Sequence, residues 1–155
     1  MGSGKSAVGR LIAERAGAPF HDLDSVIERT AKRTISEMWD AEGEHEFRRL
    51  ESRLLPEVLA PGAVAALGGG APLADANWRL IKERAVSVFL DAPFDLIWQR
   101  VGGAVDRPLI RGRRPEEVAA LLEQRRPLYS RATFTVDAGR LPSVIANEVF
   151  ELWSK

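Results

Sequence analysis

Gly2-Ser3-Gly4-Lys5-Ser6 has the residue types of a phosphate cradle: it is the second half of the pattern G-x-x-x-x-G-K-[ST], placed where a helix should begin. Glycines let backbone N–H groups curl around phosphate oxygens, and the helix N-terminus adds the positive end of its dipole. Lys5 would then reach the β and γ phosphates of a nucleoside triphosphate, and the Ser6 hydroxyl would ligate Mg2+. The pattern's first glycine would fall two residues before Met1. The plain alternative is a helix-start loop without a ligand.

Asp22 and Asp24 are the next candidates. They lie two apart at the end of an extended segment, a spacing that sends both carboxylates to one side, toward the region beyond the strand's carboxyl end where such sheets bind ligands. Either could instead cap the following helix. Gly68-Gly69-Gly70 follows a buried apolar run, and three glycines in a row fit close approach of the backbone to a ligand better than a flexible turn, given their ordering cost. Asp91, at the end of Val86–Asp91, is a rival magnesium carboxylate, but Ala92-Pro93 after it fits a helix cap better.

These groups need a scaffold. The 155 residues suffice for one well-buried core and read as a single domain. Helical patterns alternate with short apolar β-like runs, the mark of an α/β chain with a parallel sheet. The first helix runs from Lys5 to about Ala16, with Gly17 at a left-handed stop. Strands are expected at Phe20 to Asp22, Ala63 to Leu67, Ala85 to Leu90 and Phe134 to Val136. Capping-box spacings at Ser25/Glu28 and Thr34/Glu37 start two helices, and a longer one follows Gly43, carrying Phe47, Leu50, Leu54 and Val58 on one face. Gly102 to Pro115 reads as a loop, Pro115 starts a helix to about Ala132, and Pro142 begins the last, to about Trp153.

Composition excludes several functions. Lys plus Arg and Asp plus Glu each number 22, so no net charge draws the chain to nucleic acid or an anionic membrane, and the arginines of the 102–115 segment lack interleaved aromatics. There is no cysteine, and His21 and His45 are too few for a histidine-rich metal site. No apolar run has the length of a membrane span, and the first ten residues do not form a signal peptide; the expected location is cytoplasmic. Trp39, Trp78, Trp98 and Trp153 read as core or helix-packing residues.

The chain resembles the shikimate kinases. The resemblance runs through Gly2 to Ser6, His21-Asp22-Leu23-Asp24, Gly43 to Glu51, Leu67 to Ala71, Asp106-Arg107-Pro108-Leu109 and Arg125-Arg126-Pro127-Leu128-Tyr129, in the family's order across nearly the whole chain. It implies a three-layer P-loop kinase fold with a parallel sheet in the order 2-3-1-4-5, a substrate-binding helical segment at about 25–55 and a lid at about 102–115. It also implies phosphorylation of the 3-hydroxyl of shikimate by ATP, on the route to chorismate and aromatic amino acids, by a monomer with no nucleic-acid or membrane partner.

Residue by residue, the resemblance implies that Gly2, Ser3, Gly4, Lys5, Ser6 and Ala7 bind ATP, with Arg100 near the adenine and Arg107 closing over the phosphates. Ser6, and Asp22 through water, would hold Mg2+. Asp24 would contact the substrate and accept its proton, while Arg48, Arg125 and the amides near Gly69 and Gly70 hold the acid; Trp39 falls at an aromatic position beside it. Lys5, Asp24 and Arg107 are thus the expected catalytic residues. The structural alternatives are a surface pair with Glu44 for Arg48 and a solvated basic face for Arg125.

Two departures stand out. Ala31-Lys32 replaces a common Thr-Gly, and the family's first strand would precede Met1, so the expectation is a chain whose true start lies upstream. A gluconate-type or nucleoside monophosphate kinase, or a non-catalytic nucleotide-binding remnant, are the competing functions.

Overall fold

The computed structural model of the protein describes residues 2–104 and 106–154. Helix α1 spans Lys5–Ala16 and stops at Gly17, whose left-handed backbone returns its N–H to Glu14 and lets Ala18 reach Ala13. Strand β1 (Phe20–Asp22) follows and leads directly into α2 (Leu23–Ala31). The expected cap at Ser25 does not form. Asp22 takes that role, its side chain accepting from the Asp24 N–H, while the Glu28 carboxylate accepts from the Ile35 N–H across the next turn. At Thr34 the capping box does form, with Thr34 and Glu37 each bonding the other's N–H.

Helix α3 (Ile35–Val58) joins what the sequence suggested as two segments. Gly43 interrupts its helical backbone at φ 82°, and the longer half beyond carries the candidate Arg48. Strand β2 (Val64–Ala66) ends before the glycine run, which passes through a short 3-10 turn, Ala71–Leu73, into α4 (Asp75–Arg84). The remaining elements are β3 (Val88–Asp91), α5 (Phe94–Val101), α6 (Pro115–Tyr129), β4 (Phe134–Asp137) and α7 (Pro142–Trp153). Helix α6 stops three residues short of the expected Ala132.

The strands are all parallel to their partners: Phe20–Asp22 pairs with Val64–Ala66, and Val88–Asp91 with Phe134–Asp137. This gives two separate pairs, β1-β2 and β3-β4, instead of one five-stranded sheet. They correspond to the outer pairs 2-3 and 4-5 of the expected order. Between β2 and β3 lies a mainly apolar cavity of about 470 Å3, walled by Val64–Leu67, Ser87–Ala92 and the Val8 and Ile12 side of α1. Among the described residues no strand pairs across it.

Burial divides into two clusters. One joins α1, α5, α6 and α7 to β3 and β4 through Val8, Ile97, Val118, Val136 and Ile145; the other joins α2, α3 and α4 through Leu23, Ile27, Met38, Leu55 and Ile81. Burial of such side chains contributes roughly 1.5–3 kcal/mol each. Trp39, Trp78 and Trp98 pack against these clusters, but Trp153 corrects the expectation: it lies half exposed at the end of α7, edge-on to Phe150. Among the described residues no helix is long and apolar enough to cross a membrane.

Candidate active site

The cradle is built by backbone conformation. Gly2 and Gly4 have φ of 68° and 90°, a region closed to most side chains, and a Cβ on Gly2 would also press on Ile97 and Val101 at 3.1–3.2 Å. Ser3 is buried between them, and Gly4 caps α1 without a side-chain bond, so the first-turn N–H groups of α1 are directed at a second cavity of about 620 Å3. Gly2 through Ala7 all contribute to its wall. Arg100 donates to the Gly2 carbonyl at 3.0 Å, which holds α5 against the mouth of the cradle.

Asp22 and Asp24 face the same cavity, for a different reason from the one the sequence suggested. Asp22 ends β1 and caps α2, whereas Asp24 is in the first turn of α2; the passage from strand into helix, not strand alternation alone, brings both to the cavity wall. The Ser6 hydroxyl donates to the Asp22 carboxylate. Burial, then the neighbouring Asp22 charge, pushes the Asp24 carboxyl above its usual range against the opposing pull of Lys5 and Arg107. Burial likewise lowers Lys5, with Asp24 restoring part of the loss and Arg107 adding to it. An ammonium, two carboxylates and a guanidinium thus form one mutually compensating group.

Arg48 stands at the other end of the cavity. Its Nε lies 3.3 Å from Glu44, the surface pair anticipated as an alternative, but Nη1 reaches both oxygens of Glu51 at 2.8 and 3.0 Å. Glu51 is only 1% exposed, and burial raises its carboxyl above the usual range in spite of Arg48. Sequence reading assigned it nothing; the available signal was a glutamate three residues after Arg48, on the face shared with Phe47, Leu54 and Leu55. The glycine run closes on this pair. A Cβ on Gly70 would lie 2.0–2.4 Å from the Arg48 guanidinium, and one on Gly68 about 3.0 Å from Asp24.

Gly68 and Gly69 line the cavity, whereas Gly70 is buried behind them against Arg48. Arg125 is half-buried on α6 and does not belong to the cavity wall; its charge acts on Glu51 and on Tyr129. Trp39 does line the wall. Asp91 corrects the cap expectation: Pro93 occupies the cap of α5, and the Asp91 carboxylate pairs with Arg126.

Part of the 102–115 segment reaches the cavity, with Val105 outside the described residues. Arg107, Pro108 and Leu109 line the cavity, Ile110 is buried, and Arg111 is bound to Ser36 and Asp40 at the start of α3. Ala138 and Arg140, from the turn between β4 and α7, and Pro142, the first residue of α7, complete the wall beside the cradle. The sequence marks Pro142 only as a helix start and does not mark Ala138 or Arg140, because their link to the site is position after a C-terminal strand. Chemically, the arrangement offers anion-binding amides, a lysine and an arginine at one end, a half-buried carboxylate between, and an arginine at the other. The hard oxygens of Ser6 and Asp22 beside the cradle fit Mg2+ bound together with phosphate and water; among the described residues no three acidic or histidine groups form a metal cage of their own.

Comparison with known proteins gives a consistent result. A family model described as shikimate kinase matches residues 1–153. The chain is 45% identical over 141 residues to a shikimate kinase of Cereibacter sphaeroides, covering 90% of this chain and 71% of that protein. It is 47% identical over 139 residues to one of Ruegeria pomeroyi, covering 88% and 71%. Among solved structures, shikimate kinase from Acinetobacter baumannii in complex with shikimate superposes with a TM-score of 0.95 at 35% identity, over 99% of this chain and 88% of that one.

Proposed function

The chain belongs to the shikimate kinase family, and from that premise we propose that it transfers the γ-phosphoryl group of ATP to the 3-hydroxyl of shikimate, giving shikimate 3-phosphate and ADP. The observation that carries this reading is the convergence of Lys5, Asp24, Arg107 and Arg48 on one cavity.

In this mechanism the amides of Gly2 to Ser6 bind the β and γ phosphates, and Ala7 extends the same turn. Lys5 and Arg107 balance the charge that spreads over the transferred group. Bound Mg2+, held by Ser6 and through water by Asp22, would supply further neutralisation of the phosphates. Asp24 accepts the proton of the attacking hydroxyl; its raised pKa makes it a stronger base than an ordinary aspartate. Arg48, held by Glu51, and Arg125 orient the substrate carboxylate, with the Gly69 and Gly70 backbone beside them. Segment 25–55 serves as the substrate-binding part, 102–115 as the lid, and Arg100 faces the nucleotide.

A coupled ADP-release assay across shikimate, gluconate and AMP tests the reading. Turnover is expected with shikimate alone, and preferential turnover of either other acceptor rejects it.

Two further outcomes are expected. Asp24 protonates at a higher pH than an ordinary aspartate, so the acid limb of kcat/KM should fall through an apparent pKa above 3.8; a limb at or below that value removes Asp24 from the role of base. Gly70→Ala should keep the local backbone, because its φ of −90° suits any residue and the atoms nearest the new methyl are the movable end of the Arg48 side chain. The guanidinium must move, and kcat/KM for shikimate should drop about ten- to a hundredfold. Unchanged kinetics would mean that Arg48 does not grip the substrate.

A further inference from the structure

Tyr129 has no part in the chemistry above, yet it sits where the two halves of the acid-binding end meet. It is the last residue of α6, and its ring lies against Phe89 of β3, 5.4 Å between centroids. Its hydroxyl donates to the Gly69 carbonyl at 2.6 Å, a contact across sixty positions of sequence. Gly69 immediately precedes the residue that abuts the Arg48 guanidinium. Arg125 lies one helical turn before Tyr129, on the same face of α6, and Arg125, Arg48 and Glu51 all act electrostatically on the phenol. Burial keeps the phenol protonated and therefore a donor.

Given the acid-binding role of Arg48 and Arg125 on which this rests, we propose that Tyr129 is a positioning residue whose hydroxyl, by tying the Gly69 carbonyl to α6, sets the spacing between the Arg48 and Arg125 sides of the carboxylate clamp. Without that bond the glycine turn and α6 are still joined nearby, since Arg131 donates to the Pro72 carbonyl at 3.3 Å and stacks on Trp78. The hydroxyl fixes the clamp; it does not hold the fold together.

Tyr129→Phe keeps the ring and removes only the hydroxyl. Its KM for shikimate should rise about three- to tenfold, the range set by one neutral hydrogen bond, while KM for ATP stays within about twofold and Tm is nearly unchanged. Because Tyr129 acts through the clamp, adding Tyr129→Phe to Arg125→Ala should change shikimate KM by less than about twofold. An unchanged shikimate KM in the single variant, equal rises for both substrates, or full additivity in the double variant would each overturn the proposal while leaving the kinase reading intact. Absence of shikimate turnover in the unmodified protein would overturn both.

Discussion

Replacing Lys5 by alanine should lower kcat at least about a hundredfold, with the loss in the phosphoryl-transfer step and not only in ATP binding. The ammonium is half-buried at the end of the cradle, where preorganised charge needs no rearrangement as charge develops on the transferred group. A second consequence distinguishes this account from a mere loss of nucleotide affinity. Lys5 is the foremost charge holding down the pKa of Asp24. Its removal leaves Asp22 and Asp24 opposed chiefly by Arg107, so the acid limb of the residual activity should move to higher pH. Single-turnover rates at saturating ATP and shikimate, taken across pH, measure both effects. A variant that merely needs more ATP, at normal kcat and with an unmoved acid limb, would contradict the assigned role.

Asp24→Asn should lose activity and gain stability together. The amide has nearly the shape of the carboxyl but cannot accept the substrate proton, so kcat should fall about 10²- to 10⁴-fold. The stability change follows from linkage. Burial and Asp22 raise the pKa of Asp24 in the folded chain, so the fold binds this proton more tightly than the unfolded chain does. Its contribution is complete below the ordinary value of 3.8, is lost as pH rises through the higher folded value, and stays lost at neutral pH. Asparagine removes the penalty of burying the charge. Near neutral pH the variant should therefore melt higher, by roughly 2–4 °C for each kcal/mol relieved, and the gain should shrink on acidification. Thermal melts of both proteins across pH check the sign, and a variant less stable at neutral pH would contradict the electrostatic account.

The parts of the fold that rest on local chemistry were legible. Gly17 ended α1, the Thr34 and Glu37 pair started α3, and Pro115 and Pro142 opened α6 and α7, because each signal satisfies backbone groups within a few residues. The errors arose where a tertiary partner took over a local signal. Ser25 and Glu28 have a capping-box spacing, but Asp22 already caps α2 and Glu28 is engaged by Ile35. Asp91 looked like a cap and instead answers Arg126, thirty-five residues away.

The same division holds in the site. Residue types at fixed spacing single out the Gly2–Ser6 loop, Asp22 and Asp24, and all of them line one cavity, although Asp24 does so from a helix and not from a strand. Glu51 was invisible because a glutamate on a helix normally reads as solvated, and only the fold shows it buried under Arg48. Arg140 carries no signal, and Pro142 none beyond a helix start, until β4 sets the turn after it beside the cradle. Arg125 is the residue on which sequence and geometry differ most, since it stands behind the cavity wall next to Tyr129 and Glu51.

The most direct measurement is phosphorus NMR of a reaction containing the unmodified protein, ATP, Mg2+ and shikimate. The account predicts one new phosphomonoester signal, coupled to the proton at carbon 3 of the ring and growing in step with ADP. Appearance of ADP with inorganic phosphate and no shikimate phosphate ester, or an ester at another hydroxyl, would contradict it.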